Sequence, residues 1–185
     1  MTSCAGVVRR GDAEPPRGLA IKSSAMYIAR RWSPEIEVYR IGSQATINAR
    51  KTYSFAGSWR CDDLVASFTD DVVHLLGWVA SNRQVVLTVS SSSGKVVASW
   101  PVIKMPRRLS VDDESNSVLV ACQDALRSYS TSGLLQSVTP LKMNAGSVWH
   151  AMPISAQASF SRVNRLIDYC VFANCSSPHI VFSFN

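Results

Sequence analysis

The stretch RRLSVDDESNSVLVACQDALRSYSTSG, residues 107–133, decides the fold of this chain. Short runs of apolar residues alternate with clusters of aspartate, serine, asparagine and glycine. Such apolar runs are typical of β-strands, and small polar residues between them are typical of tight turns. The stretch therefore predicts three short antiparallel strands, with a fourth strand following Gly133.

The same pattern extends over most of the chain, and no amphipathic helix pattern interrupts it. The sequence predicts strands over residues 25–31, 35–41, 61–68, 71–79, 84–90, 95–102, 107–111, 117–121, 125–130 and 134–140. Turn-forming residues separate these runs at the spacing that consecutive hairpins need. We therefore expect an all-β chain of antiparallel strands.

Two segments of the chain match each other internally. ASNRQVVLTVSSSSGKVVASWPV (80–102) aligns with ACQDALRSYSTSGLLQSVTPL (121–141), pairing strand, serine-rich turn, glycine, strand and proline. Gly94 and Gly133 are about 40 residues apart, close to the length of a four-stranded propeller blade. A sandwich or barrel would also give short strands at regular spacing.

Residues 107–133 resemble an NHL repeat, the blade unit of a β-propeller family. The positions that carry the resemblance are Leu109, Val111, Asp112, Val118, Leu119, Val120, Ala121, Asp124, Leu126, Arg127, Tyr129, Ser132 and Gly133. Residues 61–102 and 25–55 match more loosely. WD-repeat propellers are a weaker match, because no Gly-His to Trp-Asp pair is present.

The resemblance implies a partial or small β-propeller of three to four four-stranded antiparallel blades. Residues 24–160 are expected to form the blades. Residues 1–23 are expected to be a flexible N-terminal segment, and 161–185 a divergent C-terminal tail or closing strand. Closed rings take about four to eight blades, so either this ring is incomplete and the chain is a fragment or partial domain, or another copy completes the ring. An open blade edge would then permit self-association.

Composition and charge exclude several classes of protein. The chain is 46% hydrophobic and 17% charged, as in folded soluble proteins. Its longest apolar stretches are shorter than the ~20 residues of a membrane-spanning helix, and the N-terminal arginines follow a short apolar patch, unlike a secretory signal. We therefore expect a cytoplasmic protein without a membrane partner.

Catalytic, nucleotide and metal motifs are missing from the sequence. There is no G-x-S-x-G, Walker or dinucleotide-binding pattern, and the five cysteines are unevenly spaced, as in buried thiols. His74 is expected to be a hydrogen-bonded core residue, and the paired aspartates are expected to form turns. No enzyme activity, metal or cofactor is predicted.

A scaffold that binds a protein partner is the main functional expectation, because a propeller holds its loops rigidly. The residues predicted to line the binding face are Arg83, Asp112, Asp124, Arg127, Trp149 and His150. NHL propellers accompany ubiquitin-ligase modules or bind RNA, but the ligase cysteine and histidine patterns are not found here.

RNA binding is the alternative function, since the chain has a net charge of +6 and tryptophans near Arg31, Arg60 or Arg107 could stack on bases. More often a tryptophan at a strand end fills the space between blades. A propeller hydrolase, with His150 facing Asp70 or Asp112 in a central channel, is the least favoured reading.

Overall fold

A computed structural model describes residues 16–42, 47–55, 59–79, 83–140, 148–153, 167–173 and 180–184. For residues 47–50 and for the three ranges after 140 it describes the backbone and not the side chains. The regular elements of the described ranges are strands, which form four antiparallel sheets.

The strands of each sheet follow one another along the chain and pair with their sequence neighbours. The first sheet contains β1 (Pro16–Lys22), β2 (Ala25–Arg30), β3 (Glu35–Ile41) and β4 (Ile47–Ser54). The second contains β5 (Trp59–Ala66), β6 (Val72–Val79), β7 (Arg83–Ser90) and β8 (Val96–Pro101). The third contains β9 (Pro106–Asp112), β10 (Ser117–Cys122), β11 (Ala125–Ser130) and β12 (Leu135–Pro140). In the fourth, the described strands are β13 (Val148–Pro153), β14 (Ile167–Ala173) and β15 (Ile180–Phe184).

The sheets stack face to face, with the first strand of each sheet next to the first strand of the following one. One apolar layer lies between the first and second sheets and includes Ile36, Leu64 and Leu75. A second layer lies between the second and third sheets and includes Leu109 and Val118. Sheets stacked in this way are the blades of a propeller. The expected all-β partial propeller is therefore confirmed, and the sheets are called blades 1 to 4 below.

Tight turns with glycine join the third and fourth strands of blades 2 and 3. Gly94 has a φ of +74° and Gly133 a φ of +90°, a conformation in which a Cβ atom would be strained. Each glycine packs on an aromatic ring of the preceding blade, Tyr53 for Gly94 and Trp100 for Gly133, with no room for a side chain. The two matched segments of the sequence thus make the same type of contact, a turn glycine against an aromatic ring of the preceding blade.

The central strands explain why valine and leucine runs dominate the sequence. In β10 every residue is buried, as are residues 85–89 of β7, because these strands lie between two neighbouring blades. The outer strand β12 is largely exposed. Cys61 and Cys122 are buried free thiols, as expected from the spacing of the cysteines.

The structure differs from the sequence-based boundary at the N-terminal end of the blades, because residues 16–22, expected in the flexible N-terminal segment, form β1. Residues 167–173 and 180–184, expected in a divergent tail or closing strand, form β14 and β15. The strand pattern of β1 is obscured by Gly18, which packs against the Cβ and backbone nitrogen of Leu64 so closely that a Cβ would not fit.

Candidate interaction surface

The turns of the propeller form two faces of different chemistry. Turns between the first and second and between the third and fourth strands lie at one end, which we call the serine face: residues 23–24, 67–71, 91–95, 112–116 and 131–134. Turns between the second and third strands and connections between blades lie at the other end. We call this end the arginine face: residues 31–34, 102–105, 123–124 and the strand residues next to them.

On the serine face, the carboxylates of Asp71, Asp112 and Asp113 are occupied by hydrogen bonds within the protein. The Asp113 carboxylate accepts hydrogen bonds from the Ser67 hydroxyl at 2.7 Å and from the backbone N–H groups of Phe68 at 3.0 Å and Thr69 at 3.3 Å. Burial opposes ionisation of Asp113, but the bonds from Ser67 and Thr69 outweigh it and lower its pKa. Asp113 thereby ties the first turn of blade 3 to that of blade 2.

Asp71 and Asp112 close turns within single blades. Asp71 accepts hydrogen bonds from the Ser91 and Ser92 hydroxyl groups, which lower its pKa. Asp112 accepts hydrogen bonds from the Ser115 hydroxyl at 2.7 Å and from the backbone N–H of Glu114 at 3.1 Å. These contacts confirm turn roles for Asp71 and Asp112. Asp62 and Asp63 were also expected in a turn, but they lie within β5.

On the arginine face, side chains from blades 1 and 2 form an arginine–tryptophan cluster. It consists of Arg31, Trp32, Arg60, Asp62 and Trp78. The Arg60 guanidinium carbon lies 4.8 Å from the ring centre of Trp78 and 5.4 Å from that of Trp32. The Arg31 guanidinium carbon lies 5.3 Å from the Trp32 ring centre. These distances are typical of cation–π interactions.

The inner part of the cluster is anchored by Asp62. Its carboxylate accepts a hydrogen bond from the Trp78 indole N–H at 2.6 Å and lies 3.6 Å from the Arg60 Nε atom. The backbone N–H of Cys61 donates to the Arg31 carbonyl at 2.9 Å, which fixes the turn of blade 1 against blade 2. By contrast, the Trp32 side chain is 60% exposed. The cluster therefore combines a held guanidinium with an indole that is largely exposed to solvent.

A buried carboxylate adjoins the cluster between blades 2 and 3. Asp63 accepts a hydrogen bond from the Leu109 backbone N–H at 2.8 Å and lies 3.9 Å from Arg108 Nη1. Burial raises the pKa of Asp63 to about 6, although the Leu109 and Arg108 contacts partly oppose this. Asp63 thus titrates between the two blades at about pH 6.

Three of the predicted binding residues lie on the arginine face. Arg83 is the exposed first residue of β7. Asp124 lies in the turn between β10 and β11, and Arg127 lies in β11. The two Arg127 terminal nitrogens donate to the Asp124 carboxylate oxygens at 2.9 and 3.3 Å. Only 7% of the Arg127 side chain is exposed, so this arginine mainly fixes the turn.

The other predicted binding residues are separated from these three or lie outside the described side chains. Asp112 ends β9 on the serine face, so the structure does not bring it to Asp124 and Arg127. Trp149 and His150 belong to β13, whose side chains are not described. Asp70, the other carboxylate considered for a hydrolase, also lies in a serine-face turn, where its carbonyl oxygen accepts a hydrogen bond from Lys22.

Trp32, Trp78 and Asp62 were not among the residues predicted to line the protein-binding face, although the tryptophans near Arg31 and Arg60 were considered as base-stacking residues in the RNA alternative. The signal available in the sequence was the adjacency of Arg31 to Trp32 in a turn and of Trp59 to Arg60. Their approach depends on contacts between blades, which adjacency alone does not reveal. Arg107 is exposed, and within the described residues no tryptophan ring contact is found for it.

His74 is a core residue, as predicted. It is fully buried, its Nδ1 atom lies 3.0 Å from the Thr88 hydroxyl oxygen, and its ring makes an edge contact with Trp100. Burial lowers the pKa of His74 to about 4.

Across the part of the chain that the structure describes, no three histidine, cysteine, aspartate or glutamate side chains are grouped to hold a metal ion. The same ranges contain no helix long and apolar enough to cross a membrane.

The architecture and the two faces define the chain as a partial β-propeller, and comparison with solved structures agrees. The WD40 domain of Toxoplasma gondii coronin is similar, with a TM-score of 0.62 and 13% sequence identity. The match covers 93% of this chain and 46% of that chain, so this chain spans about half the length of that structure. No protein-family model and no curated protein matches the sequence. At this identity, the similarity shows the fold alone.

Proposed function

We propose that this chain is a non-enzymatic propeller scaffold that binds a protein partner through its arginine face. The observation that carries the proposal is the exposed indole of Trp32 beside the guanidinium groups of Arg31 and Arg60. Tryptophan and arginine are the residues most often found at the energetic centres of protein interfaces.

The cluster also limits the entropy lost on binding. Arg60 is held by Trp78 and Asp62 before a partner arrives, and ordering a free arginine at an interface would cost about 0.5–1.5 kcal/mol. The turn that carries Trp32 is fixed to blade 2 through Cys61. The arginine face therefore presents a preorganised contact surface, whereas on the serine face Asp71, Asp112 and Asp113 use their carboxylates within the protein.

A crosslinking experiment tests which face binds. A photo-crosslinking residue replaces Trp32 in one variant and Phe68 in a matched control, because Phe68 is an aromatic residue of the serine face and is 72% exposed. We expect a protein that crosslinks from position 32 and not from position 68. The proposal is wrong if both positions capture the same proteins equally.

Affinity measurements with the captured partner complete the test. Trp32→Ala should weaken binding by tenfold or more, as expected for an interface centre losing at least ~1.4 kcal/mol. Phe68→Ala should change the dissociation constant by less than about twofold. Both sites are exposed turns, so thermal unfolding should confirm that each variant folds as the parent chain does.

RNA is the second candidate partner, and the same cluster favours it. An exposed indole beside two arginines can stack on an unpaired base while the arginines contact phosphate. Filter binding of mixed single-stranded RNA should then fall steeply between low and high salt, and Trp32→Ala should weaken binding at both salt concentrations. No retention of RNA at low salt would remove this candidate.

The NHL-type assignment of blade 3 is also part of this proposal. The aspartate and arginine that the NHL pattern places in this blade, Asp124 and Arg127, form a paired contact that closes the turn between β10 and β11. Because Asp124 and Arg127 bond to each other, their spacing in the NHL pattern has a structural reason, which supports the assignment. Arg127→Lys, which cannot form the same paired bond, should destabilise blade 3 in hydrogen-exchange measurements, whereas unchanged exchange would argue against the assignment.

A further inference from the structure

The connection between blades 2 and 3 contains a short exposed loop on the arginine face, residues 103–105. Ile103 is 62% exposed and Met105 is 59% exposed. The exposed side chain of Lys104 lies between them in the sequence, and the residues on either side of the loop are buried. The 103–105 loop therefore presents two large apolar side chains together with a cation.

The loop has a strained backbone that is held at both ends by one residue. Lys104 has a φ of +68° and Met105 a φ of +52°, a conformation that costs free energy for residues other than glycine. The Val102 N–H donates to the Gln84 carbonyl at 2.9 Å, and the Gln84 side-chain amide donates to the Pro106 carbonyl at 3.3 Å. Strained backbone that its surroundings hold in place is concentrated at functional sites.

The positive charges in and beside the loop are not neutralised by ion pairs. The aspartates of the arginine face are each paired with an arginine: Asp62 with Arg60, Asp63 with Arg108, and Asp124 with Arg127. Lys104 and Arg107 are exposed, and neither forms an ion pair with a residue that the structure describes. Arg108 Nη1 also donates to the Asp62 carbonyl at 3.2 Å, so this part of blade 3 adjoins the arginine–tryptophan cluster.

We infer that the protein partner presents an acidic segment with apolar side chains to the 103–105 loop and Arg107. This inference rests on the proposed function and adds the chemistry of the partner. Carboxylates of the segment would pair with Lys104 and Arg107. Its apolar side chains would cover Ile103 and Met105, whose flexible thioether adapts to different apolar surfaces. RNA offers phosphates to the same cations but has no aliphatic side chains to cover the apolar pair, so an acidic protein segment fits this surface better.

Fluorescence anisotropy with three labelled peptides and the full chain tests this chemistry. The first peptide consists of glutamate, leucine and serine. In the second every glutamate is replaced by glutamine, and in the third every leucine is replaced by serine. We expect the first peptide to bind at least about tenfold more tightly than either counterpart at low salt, because each counterpart lacks one of the two kinds of contact. Unlabelled first peptide and single-stranded RNA serve as competitors.

Variants of the chain locate the binding site. Lys104→Glu should weaken binding of the first peptide by about fivefold or more. Lys95→Glu is the matched control, because Lys95 is an exposed lysine of a serine-face turn and undergoes the same change of charge. Ile103→Ser should weaken the same peptide, whereas Leu134→Ser, at 71% exposure in a serine-face turn, should change its dissociation constant by less than about twofold. All four side chains are exposed, so thermal unfolding should show that these variants remain folded.

Lys104→Asn separates a contact with the partner from a role in folding. Asparagine tolerates a positive φ better than lysine does, so this variant should unfold at a higher temperature than the parent. It should also bind the first peptide more weakly, because it lacks the charge. A variant with unchanged affinity would contradict the assignment of Lys104 as a contact.

Other outcomes would overturn the inference as a whole. The first peptide could fail to bind, or bind no more tightly than its glutamine counterpart, or lose the same affinity in Lys104→Glu and Lys95→Glu. RNA could also displace it at far lower concentrations than the unlabelled peptide does. A protein captured from position 32 whose affinity is unchanged by Lys104→Glu would overturn the inference and leave the proposed function standing. Failure of position 32 to capture any protein would instead tell against the proposed function, so the two failures are distinguishable.

Discussion

Replacing Asp63 with asparagine should stabilise the protein at alkaline pH. The carboxylate lies between blades 2 and 3, and burial raises its pKa from 3.8 to about 6. Because the folded state holds the proton more tightly than the unfolded state, the protonated group favours folding below about pH 3.8 and this advantage is lost as the pH rises through 6. At 1.36 kcal/mol for each unit of pKa, the loss is about 3 kcal/mol.

Asparagine retains the oxygen that accepts the Leu109 N–H and cannot ionise. It loses the contact with Arg108, but the pKa of about 6 already includes the effect of that contact. We therefore expect the unfolding free energy of Asp63→Asn to be about 3 kcal/mol higher than that of the parent at pH 8. At pH 4 the two proteins should differ by less than about 1 kcal/mol.

Urea denaturation followed by tryptophan fluorescence, at several pH values from 4 to 8, measures both proteins. The informative quantity is the difference in unfolding free energy between them, because the titration of His74 and of the surface carboxylates is common to both. A difference that stays constant over this range, or a variant that is less stable than the parent at pH 8, would refute the reasoning that burial of the charge dominates at Asp63.

Three further predictions concern the layer between blades 2 and 3. Gly133→Ala should destabilise by more than about 2 kcal/mol, because its φ is +90° and Trp100 leaves no room for a Cβ; Ser132→Ala in the same turn should cost less than about 0.5 kcal/mol in urea denaturation. Trp100→Ala should cost about 3–5 kcal/mol by the same assay, far more than Trp32→Ala. His74 favours folding above pH 6.5 and this contribution is lost as the pH falls towards its pKa of about 4, so His74→Gln should reduce the pH dependence of stability over that interval in acid titrations followed by circular dichroism.

The sequence revealed strands best where both faces of a strand are covered. β7 and β10 are nearly continuous apolar runs because neighbouring blades bury both sides. β4 was not predicted, since INARKTYS is mostly polar and its buried side chain among those described is Tyr53. In this outer strand a single aromatic residue makes the contact with the next blade. One buried residue produces no alternation of apolar and polar positions by which the strand could be predicted.

The candidate site was harder to predict than the fold. Arg31 and Trp32 lie in blade 1 and Trp78 lies in blade 2, and the hydrogen bond from the Cys61 N–H to the Arg31 carbonyl holds the blade 1 turn against blade 2. Local patterns identify which residues are suited to binding, but the stacking of blades determines which of them become neighbours. For the same reason Asp112 was grouped with Asp124, although the strand β10 separates their turns by its full length.

The different use of the two faces links the fold to the proposed function. On the serine face, Asp113 and Lys22 join the first turns of successive blades, so changing either of these two side chains would alter how the blades stack. On the arginine face, the exposed ring of Trp32 makes contacts with Arg31 and Arg60 and is not needed to seal a core layer. A substitution at Trp32 can therefore change partner affinity with little effect on stability, whereas one at Asp113 should change stability first. Measuring both quantities for both variants would separate a face that binds from a face that holds the blades together.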